Sequence, residues 1–150
     1  MSVRLDETDK RILRILQENA KTPYSKIAKM LKVSEATIHI RVKKLRERGV
    51  IRGFRADVDP EKVGKGTTAF VLVKADPKKY SQVLGELSKI KDVYELYDVT
   101  GEYYALAKIR VGTREELTKV LDKIGDIDGI VSTYTMFVLR ILKEEKVVDI

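Results

Sequence analysis

The apolar positions of the first 50 residues fall into three helical stripes. Ile12, Leu13 and Leu16 form the first, Ile27, Ala28 and Leu31 the second, and Ile38, Val42 and Leu45 the third. That i, i+3, i+4 spacing gives a helix one side to bury. Start and stop signals frame each stripe. Asp6, with Asp9 three residues on, predicts a capped start for the first helix, which ends near Asn19 and Lys21; a carboxylate there can accept an otherwise orphan amide. Thr22 is the expected cap of the second helix, with Pro23 in its first turn, where a missing N–H costs nothing. After a tight turn through Lys32 and Val33, Ser34 caps a third helix over residues 35–48, closed by Gly49 with Val50 after it.

From Ile51 the period changes. IRGFRADVD reads as an extended strand or hinge, ended by Pro60 and the Gly64/Gly66 pair. TTAFVLVK (67–74) then reads as a buried strand, and Pro77 opens a helix with Tyr80, Val83, Leu84, Leu87 and Ile90 on one side. Strands over 93–99 and 103–111 meet at Thr100–Gly101–Glu102. Thr113 and Glu116 predict a capping box for a helix that buries Leu117, Val120, Leu121 and Ile124, and residues 130–142 form a long last strand. LSKIKDV (87–93) and LDKIGDI (121–127) repeat one pattern at the same helix-to-strand junction. The order is βαββαβ, the ferredoxin-like split unit. The expected class is α+β, with an N-terminal winged-type helix-turn-helix domain (1–51), a linker strand or hinge (52–64) and a C-terminal ferredoxin-like domain (65–150).

Composition narrows the chemistry. At 43% hydrophobic residues the chain can bury a core, and no apolar run approaches the length of ~18 residues that a membrane span needs. The stretch MSVRLDETDKR lacks the apolar centre of a signal peptide, so a cytoplasmic location is expected. Without cysteine and with a single histidine, a thiolate or imidazole metal cluster and thiol redox chemistry are excluded. Charged residues make up 35% while Asn (one) and Gln (two) are scarce, a bias that fits a hot habitat. The net charge of +7 is unevenly placed: residues 1–60 hold 15 Lys/Arg against 8 Asp/Glu, and residues 61–150 hold 15 against 15. A polyanionic partner favours such segregation.

The third helix carries the sharpest signal. At ~100° per residue its buried stripe leaves Ala36, His39, Ile40, Lys43, Lys44 and Glu47 opposite, with Thr37 at the edge and Arg41, Arg46 and Arg48 flanking the stripe. Small or methyl-bearing side chains suit thymine methyls in a major groove, and His39 or a cation can reach base edges. Flanking cations suit phosphates. A solvated amphipathic helix would account for the charges, and one exposed isoleucine is normal on it; the helix-turn-helix spacing and the charge segregation favour a DNA partner instead, against which Ile40 is no longer wrong-sided. His39 has no nucleophile beside it in the sequence, so a catalytic role is not expected. The candidate DNA-binding set is Ser34, Glu35, Ala36, Thr37, His39, Ile40, Arg41, Lys43 and Lys44.

LDETDKRILRILQENAKTPYSKIAKMLKVSEATIHIRVKKLRERGVI, then RGFRADVDPEKVG, resembles the N-terminal half of the Lrp/AsnC (feast/famine) transcription regulators. The opening LDETDKRIL, the core TIHIRVKKL, the GVI that follows and the TGEYY turn carry the resemblance, which extends over essentially the whole chain. It implies that residues 24–31 and 35–48 are the paired helices, that Arg41 belongs to the DNA-contacting surface, and that IRGFRADV links the domains. It also implies homodimers, often assembled into larger rings, on near-palindromic promoter sites of prokaryotic, nucleoid-associated DNA.

For the second half the resemblance implies a free amino-acid effector bound between subunits near TGEYY. Gly101 would allow close backbone approach, and Thr100 offers a hydroxyl. Family members often carry Asp two residues after the position of Glu102; here Tyr104 stands there. Acidic side chains remain at Glu102, Asp122, Asp126 and Asp128, and a basic guest such as lysine or arginine would pair them. The candidate effector set is Thr100, Gly101, Glu102, Tyr103, Asp122, Thr133 and Thr135. No cofactor and no metal are expected. Two rivals remain at this stage: an architectural protein coating DNA with little sequence preference, and an amino-acid-handling enzyme, against which the lack of nucleophile, metal ligands or phosphate-binding glycine loop speaks.

Overall fold

A computed structural model describes residues 3–150. Among them the elements run α1 (Glu7–Glu18), α2 (Tyr24–Leu31), α3 (Glu35–Glu47), β1 (Thr67–Ala75), α4 (Tyr80–Lys89), β2 (Val93–Asp98), β3 (Ala105–Val111), α5 (Arg114–Gly125) and β4 (Ile130–Phe137). They form two compact units: the residues up to Ala56 with Lys143–Ile150, and Asp57–Leu142. Residues 143–150, expected with the sheet half, thus belong to the helical unit.

In the helical unit the three predicted stripes meet in one core of Ile12, Leu13, Leu16, Ile27, Ala28, Ile38, Val42 and Leu45. Leu31, Val33, Val50, Ile51 and Ile150 pack around it. Each fully buried aliphatic side chain contributes about 1.5–3 kcal/mol. α1 starts as expected, with Asp6 and Asp9 capping each other's backbone amides. α2 does not: Pro23 holds the N-cap position, and the Thr22 hydroxyl donates instead to the Asn19 carbonyl at 2.8 Å. Thr22 is drawn back by the end of α1, where that carbonyl lacks a helical partner. α2 ends on Lys32 in the left-handed region (φ 56°), which opens the short turn to Ser34.

Gly49 (φ 72°) stops α3. Its amide reaches Arg46 O and the Val50 amide reaches Leu45 O, both at 2.9 Å, so the last carbonyls are satisfied as the sequence predicts. Of the two readings of IRGFRADVD, strand or hinge, the described residues show the hinge. Residues 52–59 pair with no strand, because no second segment lies in register to accept their backbone bonds.

The sheet unit has strand order β2-β3-β1-β4, antiparallel throughout. This is the ferredoxin-like arrangement. Register puts Ala69, Val71 and Val73 of β1 beside Ile109, Ala107 and Ala105 of β3 on one face. That face is covered by Val83 and Leu87 of α4 and by Leu117, Val120 and Ile124 of α5. Neither α4 nor α5 covers the other face, where Phe70 and Leu72 lie beside Met136 and Tyr134.

Three expectations are corrected. β4 ends at Phe137 rather than 142, because it can pair only as far as β1 extends; the last bond runs from the Val138 amide to Thr68 O. β2 and β3 are also shorter than 93–99 and 103–111, although Val99 N–H still donates to Tyr104 O at 2.8 Å. The Thr113 hydroxyl caps the Glu116 amide at 3.1 Å, but the Glu116 carboxylate turns to the Gly112 amide at 2.7 Å instead of closing the box.

Candidate nucleic-acid interface and effector turn

The exposed side of α3 carries most of the predicted reading residues together. Ser34, Glu35, Ala36, His39, Ile40, Lys43 and Lys44 are exposed and Thr37 is half-buried, while Ile38, Val42 and Leu45 point into the core. Ile40 is 55% exposed, an apolar side chain set among cations. Ser34 Oγ accepts the Thr37 amide at 3.1 Å and so fixes the N-terminal turn of the helix.

His39 is held rather than free. Its ring meets the Tyr24 ring edge-on, with centroids 4.6 Å apart, and Nε2 lies 3.6 Å from Glu35 Oε1. Tyr24, His39, Lys43, Arg46 and Arg52 line a cleft of about 560 Å³ whose wall carries four basic side chains and one carboxylate, Glu47. Tyr24 and Arg52 were not singled out in the sequence. Tyr24 shows no signal there beyond its place at the start of α2, and Arg52 lay in a segment read as a hinge.

Arg41 is engaged within the helical unit. Its Nη1 donates to Asp6 Oδ2 at 2.7 Å and to Asp9 Oδ1 at 2.8 Å, so the guanidinium turns towards the start of α1. The Asp9 amide, and next the Arg41 guanidinium, hold the Asp6 carboxyl below the usual carboxylate range. The two carboxylates in turn raise Arg41. Asp6 and Asp9 are functional-site neighbours that the sequence showed only as a helix cap.

The proposed effector residues occupy three elements. Thr100, Gly101, Glu102 and Tyr103 make the β2–β3 turn, with Gly101 at φ 125°, a conformation other residues rarely adopt. Thr133 and Thr135 stand exposed on β4, paired with Val73 and Val71, and Asp122 is exposed on α5. Among the described residues no hydrogen bond or ion pair joins these three groups. Glu102 pairs with Lys74 at 3.3 Å, and both oxygens of Asp128 are taken by Lys79 at 2.9 and 2.8 Å. Tyr104 places its ring edge-on to Tyr80, centroids 5.4 Å apart, and its carbonyl accepts the Tyr80 hydroxyl at 2.7 Å. The same hydroxyl reaches Asp98 Oδ1 at 2.7 Å. Among the described residues no acidic or histidine cluster could hold a metal ion, and no helix is long and apolar enough to cross a membrane.

Comparison with known proteins matches two stretches of the chain to known families. Residues 5–46 match the AsnC-type helix-turn-helix domain and residues 68–148 the Lrp/AsnC ligand binding domain. The chain is 47% identical over 144 residues to the HTH-type transcriptional regulator FL11 of Pyrococcus horikoshii, covering 96% of this chain and 95% of that one. Escherichia coli AsnC superposes with a TM-score of 0.92 at 35% identity, covering 97% of this chain and 99% of the other. A Neisseria meningitidis transcriptional regulator in complex with L-Met superposes with a TM-score of 0.89 at 26% identity, over 97% of each chain. These regulators are not enzymes. The chain belongs to the Lrp/AsnC family of transcriptional regulators, with a DNA-binding helix-turn-helix half and a ligand-binding half.

Proposed function

We propose that this regulator reads specific sequences in double-stranded DNA, and that a free amino acid sets its assembly or its affinity for DNA. The observation that carries the first part is the mixed outer side of α3, where exposed Ala36, Ile40 and His39 stand among Lys43 and Lys44. A protein that merely coats phosphates gains nothing from an apolar side chain in that position, since phosphate attraction alone supplies non-specific binding. Base edges and thymine methyls reward it. Sequence selection from random duplexes tests the reading: an enriched motif supports it, and an unenriched pool would make the chain an architectural coat.

The ligand-binding half and the likeness to a regulator solved with L-Met support an amino-acid effector. The exposed Asp122 carboxylate on α5, and Glu102 in the turn if the guest displaces Lys74 from it, favour a basic guest such as lysine or arginine. Calorimetric titration with the twenty amino acids decides this; a preference for leucine or isoleucine over lysine would end the basic assignment. Coupling then follows from different affinities of the effector for two assemblies. Homodimers form, on this reading, through the sheet face that neither α4 nor α5 covers, and join into larger homo-oligomers. The protein acts on promoter DNA at the nucleoid, in the cytoplasm of a prokaryote.

A further inference from the structure

We infer that Arg41 positions the reading helix instead of gripping DNA: its guanidinium locks α3 to the start of α1 by filling the two oxygens that the Asp6–Asp9 cap leaves open. This deepens the DNA-reading proposal above and rests on it. Asp6 Oδ1 accepts the Asp9 amide at 2.8 Å, and Asp9 Oδ2 accepts the Asp6 amide at 3.3 Å. One oxygen of each carboxylate remains, and Arg41 Nη1 donates to both, at 2.7 and 2.8 Å. The result is a closed set of four bonds in which each carboxylate oxygen has a partner.

The energetics favour this role over a phosphate contact. Hydrogen bonds between ionised groups are roughly twice as strong as neutral ones. Both bonds come from Nη1, and swinging the guanidinium out to grip a phosphate would break both and leave two carboxylates facing a polyanion. The Asp9 side chain is only 13% exposed, so its unpaired charge would be poorly hydrated. The apolar stripe of Ile38, Val42 and Leu45 turns one side of α3 to the core but sets its rotation only coarsely, because hydrophobic burial is non-directional. The Arg41 bonds are directional. They border a cleft of about 390 Å³ whose other walls include Thr37, Ile40 and Lys44, so the rotation they fix is the aim of the reading residues.

The test uses the full chain, the duplex that sequence selection returns and a scrambled duplex, with dissociation constants measured across a range of salt. Arg41→Ala and Asp9→Asn are each expected to lower the selected-over-scrambled ratio by about tenfold or more. The salt slope should stay that of the parent. Lys44→Ala, as the phosphate control, should lower the slope by about 0.9. Arg41→Lys keeps the charge, but its nitrogen ends about one bond short of the guanidinium tips; it should lose the ratio too, whereas a phosphate contact would survive it. Far-UV circular dichroism establishes that each variant is folded, and should Arg41→Ala unfold, Arg41→Lys and Asp9→Asn decide.

A slope lowered by about one unit in Arg41→Ala would overturn the inference. So would an Asp9→Asn ratio equal to or above the parent's, because freeing a DNA-contacting arginine from its competitors can only help it. If the unaltered chain shows no preference for any duplex, the sequence-reading proposal falls first and the inference with it, a failure visible before any variant is made.

Discussion

The hydroxyl groups of Ser34 and Thr37 lie 2.8 Å apart at the start of α3. With its hydroxyl turned to the cap, Thr37 has its methyl group left to offer a base. Thr37→Ser keeps the cap and deletes the methyl; it should weaken the selected duplex by about 0.8 kcal/mol, roughly fourfold, if a thymine methyl is the partner. Competition binding checks this, and replacing the contacted thymine by uracil should abolish the difference between parent and variant. An unchanged selected motif would remove Thr37 from the reading set.

Alkaline titration reports on the ligand-binding half. Burial, and then the Asp98 carboxylate, push the Tyr80 phenol up to about 12. The folded chain holds this proton more tightly than the unfolded one, whose phenol has its ordinary value near 10. The associated stability is therefore full below about pH 10 and drains away as pH rises towards 12. Denaturant midpoints followed over that interval should fall in the parent and fall less steeply in Tyr80→Phe. Parallel curves would show that the Tyr80 proton is not linked to folding.

At the acid end the sign reverses for Asp6, whose carboxyl is lowered from its ordinary 3.8 by the Asp9 amide and Arg41. Its contribution is complete above that value and disappears as pH falls through the lowered one. Asp6→Asn should remove this part of the acid dependence, read as helix content against pH; an unaltered acid limb would rule the linkage out.

Gln17 of α1 makes a two-way amide pair with Val148: Nε2 donates to Val148 O at 2.9 Å and Oε1 accepts the Val148 amide at 2.8 Å. Arg14 Nε donates to the Ile150 carbonyl beside it, and Ile150 packs on the helical core. Gln17→Ala loses two exposed hydrogen bonds, together about 1 kcal/mol. For a unit of this size that is roughly 4–8 °C in thermal midpoint. Deleting residues 143–150 should cost more, because Ile150 leaves the core as well. Differential scanning calorimetry checks both, and a truncated chain as stable as the parent would make the tail contact inconsequential.

The open face of the sheet gives the fifth expectation. Tyr134 and Met136 are 54% and 40% exposed there, beside Phe70 and Leu72 of β1. If a second copy covers this face, Tyr134→Glu with Met136→Glu buries two charges without partners and should convert a dimer into monomers. Sedimentation at micromolar concentration reads the outcome, and a parent chain that is itself monomeric would sink the dimer.

What the sequence made legible is what local chemistry decides. The Asp6–Asp9 cap joins residues three apart, the Gly49 stop needs only one residue without a side chain, and the three apolar stripes follow the helical period. The βαββαβ order emerged because strand and helix periods alternate cleanly after residue 66. What stayed hidden depends on partners far along the chain. Arg41 looked like one more cation, since the carboxylates that claim it are 32 and 35 residues away. The length of β4 is set by β1, not by its own residues, so an apolar run to 142 gave no sign of stopping at Phe137. The strand reading of IRGFRADVD gave way to the hinge for the same reason: β-favouring residues need a partner strand, which a local reading cannot supply.

The return of residues 143–150 to α1 has a consequence for biosynthesis. Asp57–Leu142 leaves the ribosome as one uninterrupted stretch and can fold as a unit while translation continues. The helical unit is begun before the sheet unit and completed after it, because α1 takes contacts from Val148 and Ile150. A nascent chain stalled just after Leu142 has emerged would carry the whole sheet unit and a DNA-reading half still short of its closing contacts.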